Sequence, residues 1–136
     1  MELIEEIFRN TKTIAVVGMK EDRSDAFTVP EYLHKNGYKI YPVNPTRLGK
    51  AVLGEKFVGK VTDLKDEIDL VEIFRRPEFL PGHAKEILLM NPMPRYVWFQ
   101  LGIENGEAAA ELEKAGIKVV QNACMLVEHR NLRLMI

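Results

Sequence analysis

The run Thr13–Gly18, TIAVVG, constrains the fold more than any other stretch of the chain. Its apolar residues follow one another without polar alternation, and it stops at a glycine. A strand apolar on both faces belongs inside a sheet covered by helices on each side, and such sheets are parallel. Parallel neighbours need long crossovers, usually helical, and the remaining sequence supplies them. YKIYPV (38–43) reads as a second strand, Asp69–Phe74 (DLVEIF) as a third, YVWFQLG (96–102) as a fourth and IKVV (117–120) as a fifth.

Helical periodicity falls between and around these runs. Leu3, Ile4, Ile7 and Phe8 mark a short amphipathic helix over residues 2–9. A second helix starts between Ser24 and Thr28, whose side-chain oxygens suit an N-cap. Pro30 falls near its first turn, Phe27, Tyr32 and Leu33 offer its buried face, and Gly37 closes it. Leu80, Ala84, Ile87 and Leu88 mark a third, NGEAAAELEKAG (105–116) a fourth, and the last begins near Cys124. Residues 46–60, with glycines at 49, 54 and 59, read as mostly loop with room for a short helical turn. Pro42 is awkward in a strand, because it cannot donate to a sheet ladder.

This alternation predicts an α/β fold: a Rossmann-like, doubly wound parallel sheet of five strands, order 3-2-1-4-5, in three α/β/α layers. Residues 1–136 form one domain, with 1–10 as an N-terminal amphipathic helix. Nineteen Lys and Arg nearly balance twenty Asp and Glu, which speaks against nucleic-acid binding. No apolar run approaches the roughly 20 residues needed to cross a bilayer, and the acidic start MELIEEIFRNTK is not a secretory leader. One cysteine, Cys124, excludes an internal disulfide and a multi-cysteine zinc cluster. The expectation is a cytoplasmic protein without a metal site.

In doubly wound sheets ligands bind beyond the carboxyl ends of the strands, where the strand order reverses. Those ends carry Gly18-Met19-Lys20, Val43-Asn44-Pro45, Phe74-Arg75-Arg76-Pro77, Gln100-Leu101-Gly102 and Gln121-Asn122-Ala123-Cys124. Gly18 and the helix start behind it suit a phosphate, with Lys20, Arg23 and Ser24 adding charge and a hydroxyl. The three-glycine dinucleotide fingerprint is absent. NAD sites place a carboxylate at the end of the second strand; this chain has Asn44, Pro45, Thr46 and Arg47. Arg47 is instead placed to accept a phosphate on the ribose, as carried by NADP or coenzyme A. The competing reading makes Asn44-Pro45-Thr46 a plain turn with Arg47 solvated. Of Arg75 and Arg76, adjacent in sequence, one is expected to face the site, with Phe74 as a wall.

Taken in order, IAVVG, YLHKNGY, YPVNP, LGEK, DLVEIFRRPE, VWFQLGI and CMLVEH resemble the small stand-alone CoA-binding domain proteins. These are similar to the CoA-binding domain of the succinyl-CoA synthetase α subunit. The resemblance covers about Thr11 to His129. It implies a coenzyme A site with the phosphate loop at Gly18, Met19, Lys20 and Ser24. The adenosine side maps to Val43, Asn44, Pro45 and Arg47, with Phe74, Arg75 and Pro77 across the switch point. Many relatives carry a serine just after the loop glycine, where this chain has Met19-Lys20.

His34, His83 and His129 fall outside the strand ends, and neither a Ser-His-Asp order nor a carboxylate pair stands out. Cys124, at the start of the last helix, reads either as a thiol activated by the helix dipole or as an inert buried residue. The leading expectation is a module binding coenzyme A or acyl-CoA without catalysis of its own, working as a homodimer or with a partner enzyme. An NADP-dependent oxidoreductase and a ligand-free scaffold acting in assembly are the alternatives.

Overall fold

The computed structural model describes residues 2–134. Helix α1 (Leu3–Asn10) leads into β1 (Thr13–Val17), α2 (Asp25–Lys35) and β2 (Lys39–Val43). A 3-10 turn (Pro45–Arg47) and a small hairpin, β3 (Ala51–Val52) and β4 (Glu55–Lys56), follow. The chain continues through β5 (Leu70–Ile73), α3 (Leu80–Leu88), β6 (Tyr96–Phe99), α4 (Gly106–Lys114), β7 (Lys118–Val120) and α5 (Met125–Leu134).

The main sheet has five parallel strands in the order β2-β1-β5-β6-β7. This is the doubly wound Rossmann-like topology. Outside β2, Val58 makes an isolated parallel bridge to Val43. With that rudimentary strand counted as third, the order reads 3-2-1-4-5, and β7 is added at the far edge. In that count Leu70–Ile73, the third strand by sequence, is the fourth and pairs directly with β1.

Side-chain alternation builds a core on each face of the sheet. Ala15, Val17, Val71, Ile73, Val97 and Phe99 pack against α3 and α4 through Leu80, Ala84, Ile87 and Leu112. Ile14, Val16, Ile40, Leu70, Tyr96 and Trp98 pack against α1, α2 and α5 through Ile7, Phe8, Val29, Leu33 and Met125. The three α/β/α layers follow.

Two prolines show how the backbone adapts. Pro30 lies in the second turn of α2 rather than its first, because the helix begins at Asp25. Its missing N–H frees the carbonyl of Ala26, which accepts the backbone N–H of Lys20 at 3.3 Å. Pro42 sits inside β2 and pairs with Val16. Its carbonyl accepts from Val58, so its missing donor faces the outer edge rather than the β1 ladder. The β3–β4 hairpin departs from the loop expected there. Its two-residue turn puts Leu53 at φ 50° and Gly54 at φ 86°, although Leu is an uncommon choice at positive φ.

Candidate functional site

A crevice of about 120 Å³ opens over the carboxyl ends of β1, β2 and β5. Val17, Gly18, Val43, Pro45, Lys60, Arg75, His83 and Glu86 are among its lining residues. Here the chain leaves β1 toward β2 on one side and crosses to β5 on the other, so the crevice lies at the switch point of the sheet.

Gly18 holds the crevice together from below. It adopts φ +82°, and a Cβ there would lie 2.4 Å from the Phe74 carbonyl oxygen and 3.2 Å from Arg75 Cδ. The close approach that requires glycine is thus to the end of β5 itself. Its N–H donates to the Val43 carbonyl at 2.8 Å, tying the ends of β1 and β2.

The loop between β1 and α2 differs in detail from its expected use. Met19 is fully buried among the α2 and α5 core residues, so its backbone rather than its side chain is what the loop presents there. Lys20 is exposed. Ser24 occupies the N-cap position of α2, and its carbonyl accepts from Phe27 and Thr28. Its hydroxyl caps nothing; Oγ is buried without a hydrogen-bond partner.

At the end of β2 both the oxygen and the nitrogen of the Asn44 amide are engaged, with one Nδ2 N–H left over. Its Oδ1 accepts from Thr46 N–H at 3.0 Å and Thr46 Oγ1 at 2.8 Å, while Nδ2 donates to the Met19 carbonyl at 3.0 Å. Asn44 therefore builds the 3-10 turn and fastens it to the β1 loop. Val43 is buried and Pro45 exposed at the crevice mouth.

Arg47 is not simply solvated. Its Nη1 donates to Glu21 Oε1 at 2.5 Å, and Lys50 Nζ lies 3.5 Å from the same oxygen. Arg47 Nε is buried with no acceptor among the described residues. The Arg47 guanidinium holds the Glu21 carboxyl below its ordinary range, with Lys50 helping. A carboxylate therefore does stand beside the turn that follows β2, brought by the loop after β1.

Beyond β5, Arg75 lines the crevice and stacks its guanidinium 4.5 Å from the Phe79 ring centroid. Arg76 points outward, with 75% of its side chain accessible, beside Glu78. Phe74 is half-buried against the α2 and α5 core. Pro77 starts a 3-10 turn (Pro77–Phe79), and its carbonyl accepts from Asn105 Nδ2 at 2.9 Å.

The other two strand ends serve the scaffold. Gln100 Oε1 accepts the Met125 N–H at 3.4 Å, Gln121 Oε1 accepts from Asn105, and Asn122 Oδ1 accepts from Gly102. Cys124 is half-buried there, its carbonyl accepting the first-turn N–H of Glu128. The clusters after β1, β2 and β5 converge on the crevice; those after β6 and β7 tie the sheet to α4 and α5.

Sequence reasoning missed His83 and Glu86, which line the crevice from α3 with His83 Nδ1 3.2 Å from Glu86 Oε1. Burial pushes the His83 pKa down, as does the Arg75 charge more weakly, against an opposing pull from Glu86. A helical i, i+3 spacing just behind FRRPE was the available signal.

A wider groove of about 710 Å³ lies at the opposite, amino end of the sheet, between α1, Tyr38 and the far end of α5. Its arginines are already engaged, Arg9 with Glu5 and Arg133 with Asn36. The sheet's strand-end glycine and the unpartnered Arg47 donor lie at the other end, which makes the smaller crevice the better ligand site. Among the described residues, no helix is long and apolar enough to cross a membrane.

Comparison with known proteins places these features in a family. A family described as CoA binding domain matches residues 12–130. The chain is 41% identical over 128 residues to the protein YneT of Bacillus subtilis (strain 168), covering 93% of this chain and 91% of that one. The structure of cell-free ID.343 from Thermus thermophilus superposes with a TM-score of 0.90 at 39% identity, covering 95% and 96% of the two chains. A hypothetical protein from Pyrococcus horikoshii OT3 gives 0.87 at 36% identity, over 96% of this chain and 89% of that one.

Proposed function

The chain belongs to the CoA-binding domain family, and from that premise we propose that it binds coenzyme A or an acyl-CoA across the carboxyl ends of β1, β2 and β5, as a binding module without catalysis of its own. The observation that carries this reading is the unpartnered, buried Nε of Arg47, on the 3-10 turn whose Pro45 lines the crevice. An arginine donor withdrawn from water without an acceptor is costly unless an anion completes it. Lys50 shares the Glu21 carboxylate with Arg47, and Lys60 and Arg75 add positive charge along the crevice.

The crevice is smaller than the ~300–1,000 Å³ usual for a complete small-molecule pocket. It would enclose one part of the coenzyme while the rest lies along the rim. The adenosine side fits Val43, Pro45 and Arg75, the extra ribose phosphate fits Arg47 and Lys50, and the pyrophosphate fits the backbone around Gly18 and Lys20, with Ser24 as a further donor. Coenzyme A brings the phosphates and a thiol; the chain's residues bind and orient it.

Thermal unfolding with CoA, NADP, NAD and ATP in parallel tests the proposal. A ligand at 100 times its dissociation constant stabilises the native state by about 2.7 kcal/mol. Selective stabilisation by CoA supports it. Stabilisation by NADP instead, or by none of the four, refutes it.

A further inference from the structure

The contact between Glu21 and Arg47 joins a pinned turn to a side chain brought by another loop. Arg47 and Lys50 stand on and just after one 3-10 turn. That turn is pinned by Asn44 through Thr46 and Met19, by Arg47 N–H to the Asn44 carbonyl and by Lys50 N–H to the Arg47 carbonyl, both at 3.1 Å. Glu21 arrives from the loop between β1 and α2, flanked by exposed Lys20, Asp22 and Arg23. A single carboxylate oxygen serves both cations, while Arg47 Nε, on the same guanidinium, has no acceptor. The cationic pair therefore has more donor capacity than its resident anion uses.

We propose that Glu21 is an internal stand-in for the ligand's ribose phosphate: its carboxylate occupies Arg47 and Lys50 in the free protein and is displaced when the phosphate binds. Glu21 thereby sets how strongly the site favours a nucleotide carrying that phosphate. The inference rests on the coenzyme A reading and adds to it the residue that tunes specificity. A phosphate monoester carries close to two negative charges and three acceptor oxygens near neutral pH. It can take Nη1, Nε and the lysine together, where the carboxylate holds only part of the set. Both side chains of the ion pair are partly exposed, at 28% and 30%, and such pairs contribute little, so the exchange costs little. Once released, the Glu21 side chain, already 30% exposed, turns to water.

The test is calorimetric titration of the full chain and of Glu21→Gln with CoA and with dephospho-CoA. The inference expects Glu21→Gln to bind CoA about two- to fivefold more tightly, with dephospho-CoA unchanged. An equal change for both ligands, or weaker CoA binding, overturns it. If CoA binds neither protein, the proposed function falls. The inference is then decided by inorganic phosphate, followed at the Arg47 Nε–H resonance. Saturation at lower phosphate in Glu21→Gln supports it, and identical titrations overturn it.

Discussion

The backbone N–H of Lys20 donates to the carbonyl of Ala26 at 3.3 Å, the carbonyl that Pro30 leaves without its helical donor. A proline costs about 3 kcal/mol inside a helix relative to alanine. Here the vacated acceptor anchors the loop that carries Lys20 and Glu21. Pro30→Ala supplies a competing N–H, so the account expects the Lys20 amide to lose hydrogen-exchange protection while α2 keeps its own. Unchanged protection at Lys20 would show that the proline does not hold the loop.

Gly18→Ala is expected to be among the most damaging single substitutions. Positive φ alone costs a non-glycine residue about 1–3 kcal/mol, and the added Cβ meets the Phe74 backbone oxygen, which cannot rotate away. Gly49 also has positive φ, at 88°, but nothing lies within 4 Å of its Cβ position. Urea denaturation should therefore show Gly18→Ala losing at least about 2 kcal/mol more than Gly49→Ala. Equal losses would mean the contact with β5 is relieved by backbone movement.

Glu72 is fully buried on the α2 and α5 face of β5, and neither carboxylate oxygen has a partner among the described residues. Burial pushes its pKa from 4.5 up to about 8. Between those values the unfolded chain has lost the proton and the folded chain retains it, so raising pH favours unfolding. The stabilisation is whole below about pH 4.5 and is lost as pH climbs toward 8. At about 1.4 kcal/mol per unit, the full span is on the order of 5 kcal/mol. Glu72→Gln cannot titrate, so its stability relative to the native protein should rise steadily from pH 5 to pH 8 in denaturant melts. A constant difference across that range would contradict the assignment.

Arg75 and Arg76 are neighbours with different surroundings, one lining the crevice and one turned to solvent. Arg75→Ala should weaken CoA binding about tenfold or more, as expected for loss of a charge-assisted hydrogen bond. Arg76→Ala should stay within about twofold. Titration of both variants decides it, and the reverse ranking would place the ligand on the outer side of the Pro77 turn.

Much of this was legible in the chain. Unbroken apolar runs announced the parallel sheet, and the rule that ligands gather at strand ends pointed to Gly18, Val43, Pro45 and Arg75, which the structure assembles around one crevice. What stayed hidden depended on contacts distant in sequence or on broken local rules. Glu21 meets Arg47 from another loop, so looking only at the end of β2 could not reveal the carboxylate. The structural part played by Asn44, which builds the turn and fastens it to Met19, also depends on a contact distant in sequence. The hairpin escaped because Leu53 stands at a positive-φ position where asparagine or glycine is the usual signal.

The most direct test of the central claim is an amide-resonance titration of the intact chain with coenzyme A. Binding over the strand ends predicts the largest shifts at Gly18, Lys20, Asn44, Arg47 and Arg75, with Tyr38, His129 and Arg133 unmoved. Shifts concentrated at those last three residues, in the wider groove at the other end of the sheet, would contradict it.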